Sequence, residues 1–415
     1  KVLSGAIFGL FAAEDIVSAS GKVLIEKDTI IELKTTDESG WIHFMADLPI
    51  NAKYYLKEIY APNGYVRGTE IQEFTFEYQG DKTTQAVYEF IFEDMQTSVE
   101  LSKADLTDGK ELPGASLQVL DSNGTVVDEW ISTEEPHMIR GLLVGETYTM
   151  VETKPADGYT TAESIEFKVE DTAEVQKHQM LDDVTKVEIN KTDVTDSKEI
   201  PGAKLTILDK DGKVVESWVS KKDPHMVEKL PVGTYTLREE QAPDGYLVAE
   251  EVSFEVKDTG EIQKVEMKDA RPVGKLVLKK TGAEDGSPLA GAEFELRIKK
   301  SGKVVATLVT DEEGVATSGD IPIASYKDGK MKKEIEYILV ETKAPDGYVR
   351  SEKEESIVFT YQDDKTKEIE ITKELTNERI PTGDYVKSPK TGDDTNIWLP
   401  ILLLVLSVGG IAGIF

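Results

Sequence analysis

Apolar and polar residues alternate through most of the chain in short runs, cut at intervals of about 8 to 12 residues by turn signals such as DSNG, DKDG, PDGY and LPVG. Period-two alternation at that spacing predicts half-buried strands and an all-β sandwich or barrel. Helical periodicity of useful length is absent before the C-terminal tail. The phrase YLKEIYAPNGY ending at Tyr65 returns as YTMVETKPADGY ending at Tyr159, YTLREEQAPDGY ending at Tyr246 and YILVETKAPDGY ending at Tyr348. Four repeats follow, each of about 90 to 105 residues, a length that suits a seven-strand Ig-like sandwich. The expected organisation is four β-sandwich domains in tandem, at 1–96, 97–184, 185–272 and 273–379, then a linker and a C-terminal hydrophobic helix within 380–415. The second and third units keep Pro113 and Pro201, Trp130 and Trp218, and His137 and His225 in register. The first and fourth form a sister pair with TDESG at 36–40 and TDEEG at 310–314.

Strand parity places charged residues on apolar faces. Val99, Leu101 and Lys103 share one face of the opening strand of the second unit, as do Val187, Ile189 and Lys191 in the third and Leu276, Leu278 and Lys280 in the fourth. Each lysine precedes the glycine of PGA or AGA (Gly114, Gly202, Gly291) by the same interval. Before the GY turn, Glu58, Glu152, Glu239 and Glu341 fall on the face of a tyrosine and an apolar residue. In the closing strands, Met180 shares a face with Asp182, Met267 with Asp269, and Phe90 and Phe92 with Asp94; Leu375 and Asn377 end the fourth, where Lys373 interrupts the pattern. Asp183 rivals Asp182 and is disfavoured by parity alone.

Bare charges converging in a core are costly unless paired or neutralised. Burial pushes a lysine down in pKa and a carboxyl up. A neutral amine held against a carboxyl or carboxamide carbon is a nucleophile at high effective concentration, and a protonated glutamate can polarise that carbonyl and shuttle the proton. The product would be an internal amide. For a single Lys and Asp a plain ion pair is the ordinary reading; the same triplet in three repeats shifts the balance. In the first unit the lysine position falls upstream of Lys1, so Glu58 and Asp94 lack an amine and no bond is expected there.

Composition narrows the rest. The formal charge of −31, with both signs scattered, argues against nucleic acid as a partner. Zero cysteines remove disulfides and thiolate chemistry, and 4 histidines leave little for catalysis or metal binding, so no metal and no cofactor are expected. Trp130 and Trp218 read as core, and His137 and His225 as turn residues.

These residues resemble the Cna B-type, or SpaA-like prealbumin-type, domains of Gram-positive surface proteins and pilins. The YxLxExxAPxGY phrase is similar to the pilin E-box, and SKADLTDGKELPGA and NKTDVTDSKEIPGA are similar to the family's opening strand with its reactive lysine. The resemblance implies spontaneous isopeptide bonds promoted by the E-box glutamate, with Lys103, Glu152 and Asp182; Lys191, Glu239 and Asp269; and Lys280, Glu341 and Asn377 in those roles. The second unit departs from the pattern with KPADGY in place of APDGY.

Lys1 is not an initiator methionine and Phe415 stops inside an apolar run, so the chain reads as a piece of a longer precursor. The run from Trp398 carries no charge and reaches the lower limit for a spanning helix, about 18 residues. Ahead of it, Ser388, Pro389, Lys390, Thr391 and Gly392 resemble a sortase sorting signal with serine where leucine is commonest. That resemblance implies a transient membrane stop, cleavage after Thr391 and transfer to a peptidoglycan amine. The sequence therefore reads as an extracellular, cell-wall-anchored stalk, not a turnover enzyme, with sortase and peptidoglycan as partners. Two other readings stay open: an ancillary pilin that joins other pilin subunits, and an adhesin whose repeats bind a host extracellular matrix protein. No YPKN-type string occurs, which disfavours a polymerising backbone pilin.

Overall fold

The computed structural model describes residues 1–83 and 86–381. The sorting-signal residues Ser388 to Gly392 and the apolar run from Trp398 lie outside the described residues. Among the described residues no helix is long and apolar enough to cross a membrane. The chain packs as two compact bodies, one made of Lys1–Val273, Pro322–Glu334 and Thr360–Ile369, the other of Gly274–Ile321, Ile335–Phe359 and the segment from Glu370.

In the second domain the alternating segments form two sheets. One has the order His137–Arg140, Ser98–Asp105, Gln176–Asp182; the other has Ile165–Lys168, Thr147–Lys154, Ser116–Leu120, Val126–Ile131. The opening strand is central in the first sheet, antiparallel to His137–Arg140 and parallel to the closing strand. Its inward residues Val99 and Leu101 pack with Leu117, Val119, Met150 and Met180 into one core. Truncating such a fully buried leucine, as in Leu101→Ala, costs about 2–5 kcal/mol. The third domain repeats this plan, with Lys186–Asp193 between His225–Glu228 and Ile262–Asp269.

The fourth domain has a four-stranded sheet of Val304–Val309, Glu293–Ile298, Glu336–Lys343 and Glu355–Val358. On its other side the opening strand Val273–Gly282 pairs with Val315–Thr317 and with the closing strand Glu368–Asn377. Lys373, which breaks the apolar face in sequence, is half-buried and lies 3.8 Å from Glu355. A hairpin inserted in this repeat, Ala324–Lys327 with Lys330–Glu334, belongs to the first body, where the Tyr326 hydroxyl donates to the Gly245 carbonyl.

The first domain differs. Its four-stranded sheet is complete, in the order Ile30–Thr35, Ile7–Ala12, Lys53–Tyr60, Ile71–Thr75. On the opposite face, residues 41–48 and 87–94, which stand where the other domains have the two outer strands of the second sheet, join no ladder among the described residues.

The glycine of the recurring GY turn has a role that the sequence shows only as a turn. Gly158 adopts φ +86°, and a Cβ there would sit 2.4 Å from the Lys229 carbonyl oxygen of the next domain. Gly64 meets Gly141 in the same way. Only glycine meets both demands, a left-handed backbone and close approach of a neighbouring main chain.

Candidate functional site

The strand parity that buries Lys103 also aims it across the core. The opening strand carries it beside the closing strand, opposite Met180, and its side chain is 1% exposed. There its Nζ contacts Asp182 Oδ1 and lies 2.9 Å from Glu152 Oε1. Lys191, opposite Met267, contacts Asp269 Oδ1 and lies 3.1 Å from Glu239 Oε2. Lys280 contacts Asn377 Oδ1 and lies 3.5 Å from Glu341 Oε1. All three expected triads are thus brought together, each in a fully buried setting. Asp183, the rival to Asp182, is held instead by the Lys186 ammonium at 2.8 Å.

Each glutamate is fixed from behind. The Gly68, Ala162, Ala249 and Ser351 amides donate to the Oε2 atoms of Glu58, Glu152, Glu239 and Glu341 at 2.5, 2.7, 2.7 and 2.6 Å, always from ten residues downstream. The sequence reading gave these residues no role, because a backbone donor leaves no side-chain signature; the constant interval past the GY turn is the only trace.

The protonation of the sites follows from their orphaned oxygens. Glu152 Oε1 and Asp182 Oδ2, and likewise Glu239 Oε1 and Asp269 Oδ2, are buried without a hydrogen-bond donor. The Lys103 contact with Glu152 Oε1 is close enough for an ion pair but is not aligned as a hydrogen bond. One proton shared between the two carboxyls would satisfy both oxygens. Burial accordingly pushes the Asp182 carboxyl up to about 7, with the Glu152 charge adding to it and Lys103 opposing. Asp269 is raised to about 7 for the same reason, against the pull of Lys191 and helped by Glu239. In the fourth domain the amide does the proton's job: Asn377 Nδ2 donates to Glu341 Oε1 at 2.8 Å. Burial lowers the Lys280 pKa, against the attraction of Glu341.

A neutral acid beside an amine is the reactive pairing. Transfer of a proton from an ammonium to a carboxylate would leave an uncharged amine against an uncharged carboxylic acid, and a low-dielectric interior penalises neutral groups less than bare ions. Attack of the lysine Nζ on the Asp182 or Asp269 Cγ would form an amide and release water; on the Asn377 Cγ it would release ammonia. The glutamate, locked by its downstream amide, is placed to carry the proton to the leaving group.

In the first domain two acids stand at the corresponding positions. Glu58 is 1% exposed, and burial with the nearby Asp94 charge raises its pKa to about 7, with the Gly68 amide opposing. Burial also raises Asp94.

Other sequence candidates find ordinary partners. His137 bonds Asp128 at 2.9 Å and stacks on Trp130 at 4.2 Å; His225 bonds Glu216 at 2.6 Å and stacks on Trp218 at 4.4 Å. Asp121 Oδ1, in DSNG, accepts from the Asn123 and Thr125 amides as in an Asx turn. Among the described residues no group of three or more potential ligands is arranged to hold a metal ion.

A second repeated cluster escaped the sequence reading. Two residues beyond Lys103, Asp105 accepts from the Tyr159 hydroxyl at 2.6 Å, and Lys229 of the third domain reaches both, at 3.1 and 2.6 Å. Asp193 and Tyr246 repeat the pair, bonded at 2.8 Å, with Arg271 on Asp193 at 2.7 Å and over the Tyr326 ring at 4.0 Å. The repeated KAD and KTD, read with the GY tyrosine, were the available signal.

Among solved structures, the Bacillus anthracis TIE protein is 23% identical, with a TM-score of 0.47 over 91% of this chain and 70% of that one. BcpA, the major pilin subunit of Bacillus cereus, is 18% identical, with a TM-score of 0.39 over 68% of this chain and 99% of its own. A streptococcal ancillary pilin is 15% identical, with a TM-score of 0.28 over 69% of this chain and 99% of its own. No curated protein matches the chain. The profile of the SpaA prealbumin-like fold domain matches residues 1–89, 97–183, 185–271 and 274–375, and with four such domains in tandem the chain belongs to that family.

Proposed function

We propose that the chain is a load-bearing surface stalk, locked in its second, third and fourth domains by amide bonds between Lys103 and Asp182, Lys191 and Asp269, and Lys280 and Asn377. The observation that carries this reading is the buried triad joining first strand to last. In the second and third domains those two strands run parallel, so the chain enters such a domain at one end and leaves at the other. Tension entering along Ser98–Asp105 would cross at Lys103 to Asp182 and leave, bypassing the sandwich between. The bond substitutes for the disulfides that a chain with no cysteine lacks. The chemistry is a single internal event at each site, without turnover.

Anchoring belongs to the same proposal. A sortase would cleave between Thr391 and Gly392 and join Thr391 to peptidoglycan, leaving the four domains outside the cell.

Pulling single molecules by their ends tests the stalk. The loop closed by Lys103 and Asp182 spans 79 residues, which would add roughly 26–28 nm of contour length if released. Locked domains release none of it, and a Lys103→Ala chain gains one such step. Extension steps from all of the second to fourth domains in the parent chain would contradict the proposal.

A further inference from the structure

The triad lysines of the second and third domains lie just past the end of their antiparallel neighbours. In the third, His225–Glu228 pairs with Lys186 to Ile189 and ends two residues before Lys191, while the closing strand continues on the other side as far as Asp193. In the second, His137–Arg140 pairs with Ser98 to Leu101 and ends two residues before Lys103. On that side the main-chain groups of each lysine need other partners. The carbonyls find backbone ones: the Ile200 amide donates to Lys191 at 2.7 Å and the Leu112 amide to Lys103 at 2.6 Å. The amides find a side chain. Glu199 Oε2 accepts from the Lys191 N–H at 3.1 Å, and Glu111 Oε2 from the Lys103 N–H at 3.3 Å, each from eight residues downstream, in KEIPGA and KELPGA. Glu111 Oε1 also takes the Ser102 hydroxyl, which accepts in turn from Gln179 Nε2 of the closing strand at 3.2 Å. The setting is unfavourable for a carboxylate: burial pushes the Glu199 carboxyl up, the Lys191 amide opposes it, and the charges of Glu188, Glu266 and Asp223 add to the rise.

The fourth domain meets the same need without the glutamate. At the same interval past Lys280 stands Pro288, in SPLAGA, which has no side-chain acceptor. The Lys280 N–H donates instead to the Gly314 carbonyl at 2.7 Å, and the Leu289 amide donates to the Lys280 carbonyl at 2.9 Å. Gly314 has φ +75°, and a Cβ there would collide with the Lys280 carbonyl oxygen, so the main chain comes this close only at a glycine. The lysine N–H is thus held in all three domains, by a carboxylate in two and by a carbonyl in the third.

We propose that Glu111 and Glu199 are positioning residues for the amide bonds of the second and third domains, holding the lysine main chain so that Nζ meets the aspartate Cγ, and that the Gly314 carbonyl does the same for Lys280. The inference rests on the reading that the three triads form amides. A lysine carries a flexible four-carbon stem between its main chain and Nζ, so the reacting atom is placed only when both ends are held. The triad acids hold Nζ, and the downstream glutamate holds the main chain. Without that acceptor the N–H would be left unsatisfied and the strand end free to shift, and a displacement of about 1 Å at reacting atoms costs on the order of 100-fold in rate. The positioning glutamate takes no part in the bond change, in which Nζ would displace water from the Asp182 or Asp269 Cγ while Glu152 or Glu239 carries the proton.

The test follows bond formation in the full chain from the start of a cell-free synthesis, quenching samples over time and measuring the crosslinked peptide of each domain by mass. Glu199→Ala should delay the Lys191–Asp269 bond by about 10- to 100-fold, with the Lys103–Asp182 and Lys280–Asn377 bonds on the parental schedule. Glu199→Gln, whose amide oxygen accepts from the same N–H, should restore most of the rate. Ile207→Val, which trims a core residue on a different strand of the third domain, should keep the parental schedule and so separates positioning from a general loss of stability. A parental schedule for Glu199→Ala, a Glu199→Gln chain as slow as Glu199→Ala, or an Ile207→Val chain delayed as much as Glu199→Ala would each overturn this proposal while the bonds themselves stand. A parent chain that forms no bond in any domain would overturn the stalk reading and this one together.

Discussion

The first and second domains each set a buried glutamate, Glu58 or Glu152, near an aspartate, Asp94 or Asp182, and among the described residues the second adds a lysine from its opening strand. In the second, Lys103 sits between Glu152 and Asp182, the opening strand unites a three-stranded sheet, and Met180 is sealed in the core. In the first, Glu58 and Asp94 lie together, with Arg67 acting on Glu58 only weakly against burial, and residues 41–48 and 87–94 join no ladder among the described residues. The comparison separates two tasks of one strand. Its backbone completes a sheet, and its lysine pairs with carboxylates that would be costly to bury alone.

The largest effect should come from making the second type of domain resemble the first. Lys191→Ala removes the charge partner of Asp269 and, with it, the proposed bond. Closing a loop of 78 residues is worth about 4–5 kcal/mol in the chain-entropy treatment used for disulfides. At about 4–8 °C per kcal/mol for a domain of this size, calorimetry should show the third domain melting some 20–40 °C lower while the second and fourth hold their positions. A third domain that melts with the parent would show that the lysine is only an ion pair.

Glu239→Ala keeps the lysine and the aspartate but removes the proton carrier. Bond formation in the third domain should slow by about 10²- to 10⁴-fold, the usual contribution of a positioned acid–base group. The check is mass against time after refolding, and an unchanged rate would confine Glu239 to a packing role.

The pH response should separate the two kinds of domain next. Glu58 has its pKa raised from 4.5 to about 7 by burial and by Asp94, with the Gly68 amide and Arg67 opposing. Between those values the native state holds protons that the unfolded chain has lost. The first domain should therefore be most stable below pH 4.5 and lose stability as pH rises to about 7. Its melting temperature should fall by several degrees from pH 5 to pH 8. In the second domain an amide between Lys103 and Asp182 would remove the Asp182 titration, so its melting temperature should stay nearly flat. Parallel slopes in both would contradict the bond in the second.

The smallest effect concerns the joints. Burial works against ionisation of Asp105, but the Tyr159 hydroxyl, the Thr107 amide and Lys229 outweigh it and hold its carboxyl well below the usual range. Lys229 is half-exposed, so a double-mutant cycle of Lys229→Ala with Asp105→Asn should give a coupling of only about 0.5–1 kcal/mol. A larger value is expected for Arg271 with Asp193, whose carboxylate is fully buried and where the guanidinium also covers Tyr326.

Much of this was legible because strands report their faces in sequence. Alternation placed Lys103, Lys191 and Lys280 inward, and fourfold repetition of the GY phrase aligned the partners Glu152, Glu239 and Glu341 without any measure of distance. What stayed hidden lacked a periodic side-chain signal. The amides of Ala162, Ala249 and Ser351 that lock the glutamates are main-chain donors. Lys229 reaches Asp105 from another domain, and the inserted hairpin at Ala324–Lys327 carries Tyr326 to Tyr246 across a sequence distance that alternation does not encode. The close approach of Gly158 to Lys229 needed coordinates as well.

The central claim is covalent, and the intact mass of a chain ending at Pro381 tests it most directly. Two Lys–Asp bonds each release water and one Lys–Asn bond releases ammonia, so the account predicts a mass about 53 Da below that of the unmodified sequence, with crosslinked peptides joining Lys103 to Asp182, Lys191 to Asp269 and Lys280 to Asn377. The unmodified mass would contradict it, leaving three buried ion pairs in an otherwise identical array.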